Sequence, residues 1–297
     1  MEHIVTKENI EAYCAALHAA ERAGSTIVKY RRELNQLAVW LAGRPASQER
    51  LAAWKAALAA QGYAPCTINA MLAAANGFFG YMGWEIHLKL LKIQRRLFRD
   101  TARELSRAEY ERLLTAAKDG GQERLELIME TLCATGIRIS ELRYMTVEAA
   151  QTGQATITLK GKIRTILLST KLCRKLLQYA KKQGMTSGEI FCTRSGRGIS
   201  RRQVWHELKR LCKRSGVAAS KVFPHNFRRL FATIYYKASK DIARLADVLG
   251  HSSIETTRIY LMISEKEQAK QLERMVKPRT PRRCIGTAPT PCSTISA

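Results

Sequence analysis

The spacing of apolar residues through the first 94 positions predicts a small all-helical domain. Three segments carry apolar side chains every three or four residues, as amphipathic helices do. They are residues 25–41, 47–61 and 65–83. We expect Ser25 and Thr26 to cap the first helix, and Gly62 and Gly83 to end the other two.

The pattern changes once in the remaining chain, where apolar and polar residues alternate on both sides of Gly161. Such alternation around a glycine predicts a β-hairpin, here with strands at residues 155–160 and 164–168. The other regular segments have a helical period and cover residues 106–118, 122–134, 171–183, 200–215, 225–237, 241–249 and 252–271. The predicted fold class is therefore mainly α with a small β-sheet (α+β).

Breaks in the pattern divide the chain into parts. A basic stretch without helix caps separates the two regular regions. This gives a helical domain at residues 1–90, a linker at 91–104 and a second domain at 105–278. Residues 279–297 are rich in Pro, Thr and Ser and have no apolar period, so we expect a disordered tail.

The net charge of the chain indicates which kind of partner it binds. The 297 residues include 50 Lys and Arg against 25 Asp and Glu, a formal net charge of +25. Such a surplus indicates a polyanionic partner, and we favour nucleic acid over an anionic membrane because no amphipathic anchor stands out. No stretch approaches the roughly 18 apolar residues of a membrane span, and the first ten residues lack a signal-peptide pattern. We therefore expect a cytoplasmic protein without a membrane partner.

The positive charge is concentrated in the middle of the chain. Residues 95–278 carry a net charge of +19, whereas residues 1–94 and 279–297 carry +3 each. Residues 194–221 hold nine basic side chains against Glu207 alone, which favours a phosphate-facing surface over a solvated helix face. The eight cysteines are scattered without zinc spacing, so we expect reduced thiols, no metal and no cofactor.

Two basic positions stand at predicted breaks between elements. Arg138 follows Gly136, which can end a helix, so backbone on both sides fixes where its guanidinium points. That planar fork suits two oxygens of one phosphate, although an ion pair with Glu141 or Glu148 is the alternative. The hairpin tip is LKGKIR, in which Lys160 is either a proton donor or part of a solvated loop.

Two further motifs bring histidines near a basic or aromatic side chain. His225 and Arg228 follow Pro224 at a predicted helix start and share one helix face. In LGHSSIETTRIY, Ser252 and Glu255 are expected to form a capping box. His251 and Tyr260 would lie roughly 13 Å apart on opposite faces of one unbroken helix. The chain must therefore bend if both contact one substrate; otherwise Tyr260 is a packed core aromatic.

Together these side chains favour one chemistry. Two arginines, a lysine, two histidines and a tyrosine are the groups that attack on a phosphodiester by a tyrosine hydroxyl requires. The sequence contains no paired-carboxylate metal motif and no Ser-His-Asp pattern that would suggest another reaction.

The same motifs, in the same order, resemble the tyrosine recombinase (phage integrase) family. They are TGIRISEL with Arg138, LKGK with Lys160, PHNFR with His225 and Arg228, LGHSS with His251, and Tyr260 nine residues later. The resemblance extends over about residues 6–275, since residues 25–41 and 67–83 look like that family's N-terminal SAM-like core-binding domain. The turn after Lys160 is shorter than in many relatives, so Lys160 and Lys162 both remain candidates. The Pro/Thr-rich tail also departs from the family.

The resemblance implies a mechanism. Tyr260 would attack the scissile phosphate and form a 3′-phosphotyrosine, while Arg138 and Arg228 hold the non-bridging oxygens. Lys160 would protonate the leaving 5′-oxygen, His225 would take the tyrosine proton and His251 would bind the phosphate. The family acts on double-stranded DNA as a tetramer on paired sites, and we expect a monomer when free. We assign further DNA contacts to basic side chains at Arg95, Arg96, Lys162, Arg164, Arg201, Arg202 and Lys209.

Two other functions remain open. A type IB topoisomerase resembles this family in its catalytic set but acts without paired sites. A catalytically silent DNA-binding protein would keep the fold and the charge. Among recombinases, the sequence does not separate integration and excision of a mobile element from Xer-type resolution of chromosome dimers, and it does not reveal the DNA target.

Overall fold

The structure is a computed structural model that describes residues 3–93, 101–159, 162–193, 195–251, 253–261 and 273. The chain divides into two compact units, Met1–Arg96 and Leu97–Ala297. Both are mainly helical, and the second contains one two-stranded antiparallel sheet, which confirms the predicted fold class. Within the described ranges, no helix has the length and apolar character needed to cross a membrane.

The first unit contains four helices. They are α1 (Lys7–Ala19), α2 (Gly24–Leu41), α3 (Gln48–Ala60) and α4 (Pro65–Tyr81). The sequence pattern missed α1, which Thr6 caps by accepting a hydrogen bond from the Asn9 amide at 3.3 Å. The expected cap of α2 was wrong, because the helix begins at Gly24 and has no side-chain cap. Ser25 and Thr26 lie inside its first turn.

Helix α4 organises the first unit through both apolar and polar side chains. Phe78 and Phe79 are fully buried in the same apolar core as Trp54 of α3. On the same helix, Asn69 and Asn76 are two turns apart, and each exchanges two hydrogen bonds of 2.7–2.9 Å with the backbone of the segment that follows α4. The asparagine amides thus satisfy backbone groups that have no strand partner.

The second unit is built from short helices around a β-hairpin. In order, these elements are α5 (Arg107–Asp119), α6 (Glu123–Thr135), a 3₁₀ segment (Ile139–Tyr144), α7 (Val147–Thr152), β1 (Gln154–Leu159), β2 (Lys162–Leu167), α8 (Thr170–Lys182), α9 (Arg201–Ser215), α10 (Pro224–Ser239), α11 (Ile242–Leu249), α12 (Ile254–Arg258) and a 3₁₀ turn (Ile259–Leu261). The strands pair in a register that places Leu159 opposite Lys162. The predicted hairpin is therefore present.

The last predicted helix differs from the structure. Helix α12 begins at Ile254 and is capped by Ser253, whose hydroxyl accepts a hydrogen bond from the Glu255 amide at 3.2 Å. The expected capping box therefore had the wrong serine, and Ser252 itself lies outside the described residues. After Arg258 the helix tightens into the 3₁₀ turn that carries Tyr260. The predicted continuation over residues 262–271 also lies outside the described residues.

Gly136 fixes the end of α6 and the approach of α10. Its φ of +64° is left-handed, a conformation that disfavours any residue with a Cβ. A Cβ at this position would also collide with the ring of Phe231, lying 2.7 Å from its Cε1. Residue 136 must therefore be glycine for both backbone and packing reasons.

We expect Gly136→Ala to destabilise the fold more than Gly184→Ala. Gly184 has a similar φ of +69°, but no atom lies within 4 Å of the place that a Cβ would take, so its substitution costs only the backbone strain of about 1–2 kcal/mol. The free energy of unfolding of the full chain, measured in urea, should fall by that amount for Gly184→Ala and by clearly more for Gly136→Ala. Equal losses would contradict the close contact with Phe231.

Candidate active site

Side chains from five separate elements meet where α6 and α11 end. Arg138 caps the 3₁₀ segment that follows α6, and Arg164 lies on β2. His225 and Arg228 lie in the first turns of α10, as the sequence predicted. His251 follows the end of α11, and Tyr260 lies in the 3₁₀ turn.

Arg228 is the buried centre of the cluster, with 2% of its surface exposed. Its Nη1 donates to the Gly136 carbonyl at 2.5 Å and its Nη2 donates to the Leu249 carbonyl at 2.7 Å. Both acceptors belong to the C-terminal ends of helices, where carbonyls lack helical partners and carry partial negative charge. Burial and the nearby Arg138 lower the pKa of Arg228 to about 10, so the guanidinium stays protonated at neutral pH.

Glu141 holds two arginines beside Arg228. Its buried carboxylate, 1% exposed, accepts hydrogen bonds from Arg138 Nη1 at 3.0 Å and from Arg164 Nη2 at 2.6 Å. The carboxylate also accepts a hydrogen bond of 2.7 Å from the backbone amide of Arg138. Of the two ion pairs considered for Arg138, the one with Glu141 forms, whereas Glu148 binds the Gly188 amide instead. The Arg138 side chain nevertheless remains 42% exposed, so it is accessible to a ligand.

Arg164, for which the sequence analysis expected a DNA contact, lies inside the cluster with 15% of its side chain exposed. In addition to Glu141, it donates through Nη1 to the Leu249 carbonyl, the same acceptor that Arg228 uses. Burial lowers the pKa of its guanidinium. The alternation of β2 carries the signal for this placement, because Arg164 pairs with buried Ile157 while Ile163 faces solvent.

His251 occupies the loop between α11 and α12. Its Nε2 lies 3.0 Å from Arg228 Nη2, and its Nδ1 lies 2.8 Å from Thr257 Oγ1. A guanidinium only donates, so Nε2 is the acceptor and the proton of the neutral ring is on Nδ1, which donates to Thr257. Burial, followed by the charges of Arg228 and Arg138, lowers the pKa of His251 to about 4. The ring is therefore neutral at physiological pH.

Tyr260 lies against both histidines. Its Oη is 3.3 Å from His225 Nε2, and its ring stacks on His251 with centroids 5.6 Å apart and planes at 20°. The contact arises because α12 starts after His251, so the two residues do not share a helix and the required bend is present. Burial, followed by the charge of Arg228, lowers the pKa of His225, which favours the neutral ring that can accept a proton.

The alternative view of Tyr260 as a core aromatic also holds in part. Its side chain is 6% exposed and packs in a small apolar cluster with Phe231, Ala232, Leu245 and Leu249. Arg229 lies on the same side, with its guanidinium carbon 6.0 Å from the centre of the Tyr260 ring. The hydroxyl therefore reaches the polar cluster while the ring is held by apolar packing.

The other predicted site residues lie elsewhere or outside the described residues. Arg201 and Arg202 are exposed at the start of α9. Lys209, also on α9, donates to the Ala219 carbonyl, and its Nζ lies 5.4 Å from the centre of the Trp205 ring. Lys160, Arg95 and Arg96 fall outside the described residues, and only the backbone of Lys162 is described.

The cluster suits an anion whose charge increases during reaction. The cluster contains three guanidinium groups and one carboxylate, which binds two of them, so the surroundings carry net positive charge. The phenol has a neutral imidazole beside it. In the described ranges, no three His, Cys, Asp or Glu side chains are placed to hold a metal ion. Sequence reasoning missed Glu141 as a shared anchor, Arg164 as a buried member and Thr257 as the partner of His251.

Comparisons with known proteins give the same family for both units. The model of the phage integrase family matches residues 103–267, and the model of the phage integrase N-terminal SAM-like domain matches residues 10–85. Tyrosine recombinase XerD of Brucella suis is 32% identical over 285 residues, covering 85% of this chain and 92% of the relative.

Solved structures share the fold. The XerH recombinase bound to palindromic difH substrate has a TM-score of 0.71 at 18% identity and covers 90% of this chain and 84% of its own. A lambda integrase tetramer bound to a Holliday junction has a TM-score of 0.69 at 19% identity, with 85% and 76% covered.

The low pKa of His251 makes stability depend on pH. Its pKa is about 4 in the folded chain and about 6.5 in an unfolded one, so between these values the unfolded state binds the extra proton. This contribution to stability is complete above pH 6.5 and is lost as the pH falls towards 4. We expect the thermal midpoint to fall over that range in the wild type and to fall less in His251→Gln.

The control is His206→Gln, at an exposed histidine of α9. It should follow the wild-type curve at every pH. A His251→Gln curve parallel to the wild type would show that His251 does not contribute to the acid sensitivity.

Proposed function

This chain belongs to the phage integrase family of tyrosine recombinases, and from that premise we propose that Tyr260 cuts and rejoins duplex DNA at specific sites. The Tyr260 hydroxyl attacks the phosphorus in line, the bond to the 5′-oxygen breaks, and a 3′-phosphotyrosine and a 5′-hydroxyl form. The covalent link conserves the energy of the phosphodiester for rejoining. The observation that carries this proposal is the 3.3 Å approach of Tyr260 Oη to His225 Nε2 within the arginine cluster.

Each polar side chain of the cluster has a role in this reaction. His225 accepts the tyrosine proton, since burial and the charge of Arg228 lower its pKa and favour the neutral ring. Arg138 and Arg228 stabilise the charge that develops on the non-bridging oxygens. His251 binds one of those oxygens. Lys160, or Lys162 in its place, protonates the leaving 5′-oxygen.

Helix α9 supplies the main DNA-contacting surface of the catalytic unit. Its inner face is buried through Val204, Leu208 and Leu211. Its one acidic residue, Glu207, is paired with Arg124 at 2.7 Å. We assign the basic side chains of its outer face to phosphate binding. Arg201 and Arg202 lie at the start of this face, and both are exposed. Lys162, Arg95 and Arg96 are assigned the same role, whereas Arg164 serves the active site.

Assembly follows from the reaction. Exchange between two DNA sites needs four strand cuts, one for each tyrosine, so we infer a tetramer on paired sites. The lambda integrase tetramer on a Holliday junction supports this assignment. We expect the free protein to be a monomer. We place the protein in the cytoplasm, associated with the nucleoid. Resolution of chromosome dimers and movement of a mobile element use the same chemistry.

The decisive experiment is covalent trapping on a suicide substrate, a nicked duplex taken from DNA flanking the gene. The wild type should form a protein–DNA adduct that survives denaturation, and Tyr260→Phe should form none because it lacks the attacking oxygen. Tyr235→Phe is the matched control, since Tyr235 packs beside the same apolar cluster, where its ring contacts Phe231. It should give the wild-type amount of adduct in a denaturing gel.

The same assay separates the alternatives. Adduct formation and relaxation of supercoiled DNA without paired sites would favour a type IB topoisomerase. Absence of an adduct on DNA that the protein binds would leave a DNA-binding protein without catalysis. Recombinant products that appear only with two sites would support recombination.

The role of α9 predicts a change in salt dependence. If Arg201 and Arg202 each contact a phosphate, the double variant to alanine should reduce the slope of log K against log salt by about 2. Lys181 and Lys182, two exposed lysines of α8, provide a charge-matched double variant that should leave the slope unchanged. Equal reductions in both variants would indicate a non-specific effect of net charge, contrary to the proposal.

A further inference from the structure

Thr257 is a buried polar residue that the proposed reaction does not yet use. It lies on α12 with 0% of its surface exposed. Its Oγ1 is 2.8 Å from His251 Nδ1. The neighbouring Thr256 is exposed, so the two adjacent threonines differ in burial.

The hydrogen bonds around His251 are incompatible with its role in the reaction unless the ring changes tautomer. In the structure Nε2 accepts from Arg228 and Nδ1–H donates to Thr257. An imidazole that binds a phosphate oxygen must instead present Nε2–H. A doubly protonated ring would meet this need, but its formation is opposed by burial and by the surrounding arginines. The remaining solution is a neutral ring protonated on Nε2.

That second tautomer needs a donor for Nδ1. A threonine hydroxyl both accepts and donates and rotates to suit its partner. Valine, which has nearly the same shape, can do neither. Thr257 is therefore placed to satisfy Nδ1 in either tautomer without movement of the backbone.

We propose that Thr257 is a positioning residue that supports both neutral tautomers of His251, accepting from Nδ1–H in the free protein and donating to Nδ1 when Nε2–H binds the scissile phosphate. The ring carries one proton in both states: when Arg228 donates to the phosphate instead of to Nε2, Nε2 takes up a proton from solvent and the Nδ1 proton is released to solvent. The proposal rests on the proposed function, because it assumes that a phosphate binds in this cluster.

The first test is cleavage of the suicide substrate under single-turnover conditions with Thr257→Val. The cleavage rate should fall about tenfold, the equivalent of one hydrogen bond, while the Kd for DNA stays unchanged. Thr257→Ser should restore the rate, and Thr256→Val should keep it. In a His251→Gln background, Thr257→Val should have no further effect, because its action passes through the imidazole.

The second test reads the tautomer directly from ¹⁵N chemical shifts of the labelled histidine rings, with His251 assigned from the spectrum of His251→Gln. The free wild type should show Nδ1–H, and the complex of Tyr260→Phe with uncleaved duplex should show Nε2–H. Thr257→Val should lose this change on binding.

The outcomes separate the two proposals. An Nε2–H tautomer in the free protein, or the same tautomer with and without DNA, would overturn the role of Thr257 even if cleavage proceeds normally. Unchanged cleavage by Thr257→Val would also overturn it. Failure of the wild type to form an adduct would instead refute the proposed function, while the free-protein spectra would still decide which tautomer Thr257 holds.

Discussion

The second unit depends on how one buried cation is accommodated. Arg228 has no carboxylate among its described hydrogen-bond partners and relies on the Gly136 and Leu249 carbonyls, at the ends of two helices. Those carbonyls are free only because α6 and α11 stop there, each with a left-handed glycine after its last residue. The helix ends, the loop conformation and the position of His251 therefore together supply hydrogen-bond partners for a buried guanidinium.

Some residues of this site both pack in the structure and take part in the polar cluster. Tyr260 is fixed by apolar contacts around its ring, yet its hydroxyl lies beside His225. Glu141 acts similarly for the cations, since a single buried carboxylate orients two guanidiniums and leaves the cluster with positive charge. Rigid placement of this kind lowers the reorganisation needed when charge develops on a substrate.

The sequence predicted those features that depend on local pattern or on family motifs. The helices predicted over residues 47–61 and 106–118 are present, with Ser47 and Ser106 as their caps, and the hairpin follows from alternation around Gly161. Features decided by long-range contacts were out of reach. Helix α1 was within reach, because Ile10, Tyr13, Cys14 and Leu17 have helical spacing. The break after Arg258, by contrast, follows from tertiary packing of Tyr260. The partnership of Arg164 with Leu249 joins residues 85 positions apart, which no local pattern encodes.

The contact between Arg164 and the loop after α11 has an evolutionary consequence. A Cβ on Gly250 would lie 2.7 Å from Arg164 Cδ and would overlap its guanidinium, so the space beside this glycine is already occupied by the arginine. The two positions should therefore covary among homologues. A lineage that replaces Gly250 must first shorten residue 164, and the new side chain then still meets the backbone strain of a left-handed φ of +64°. Epistasis of this kind makes the order of substitutions matter along the path by which such a site diverges.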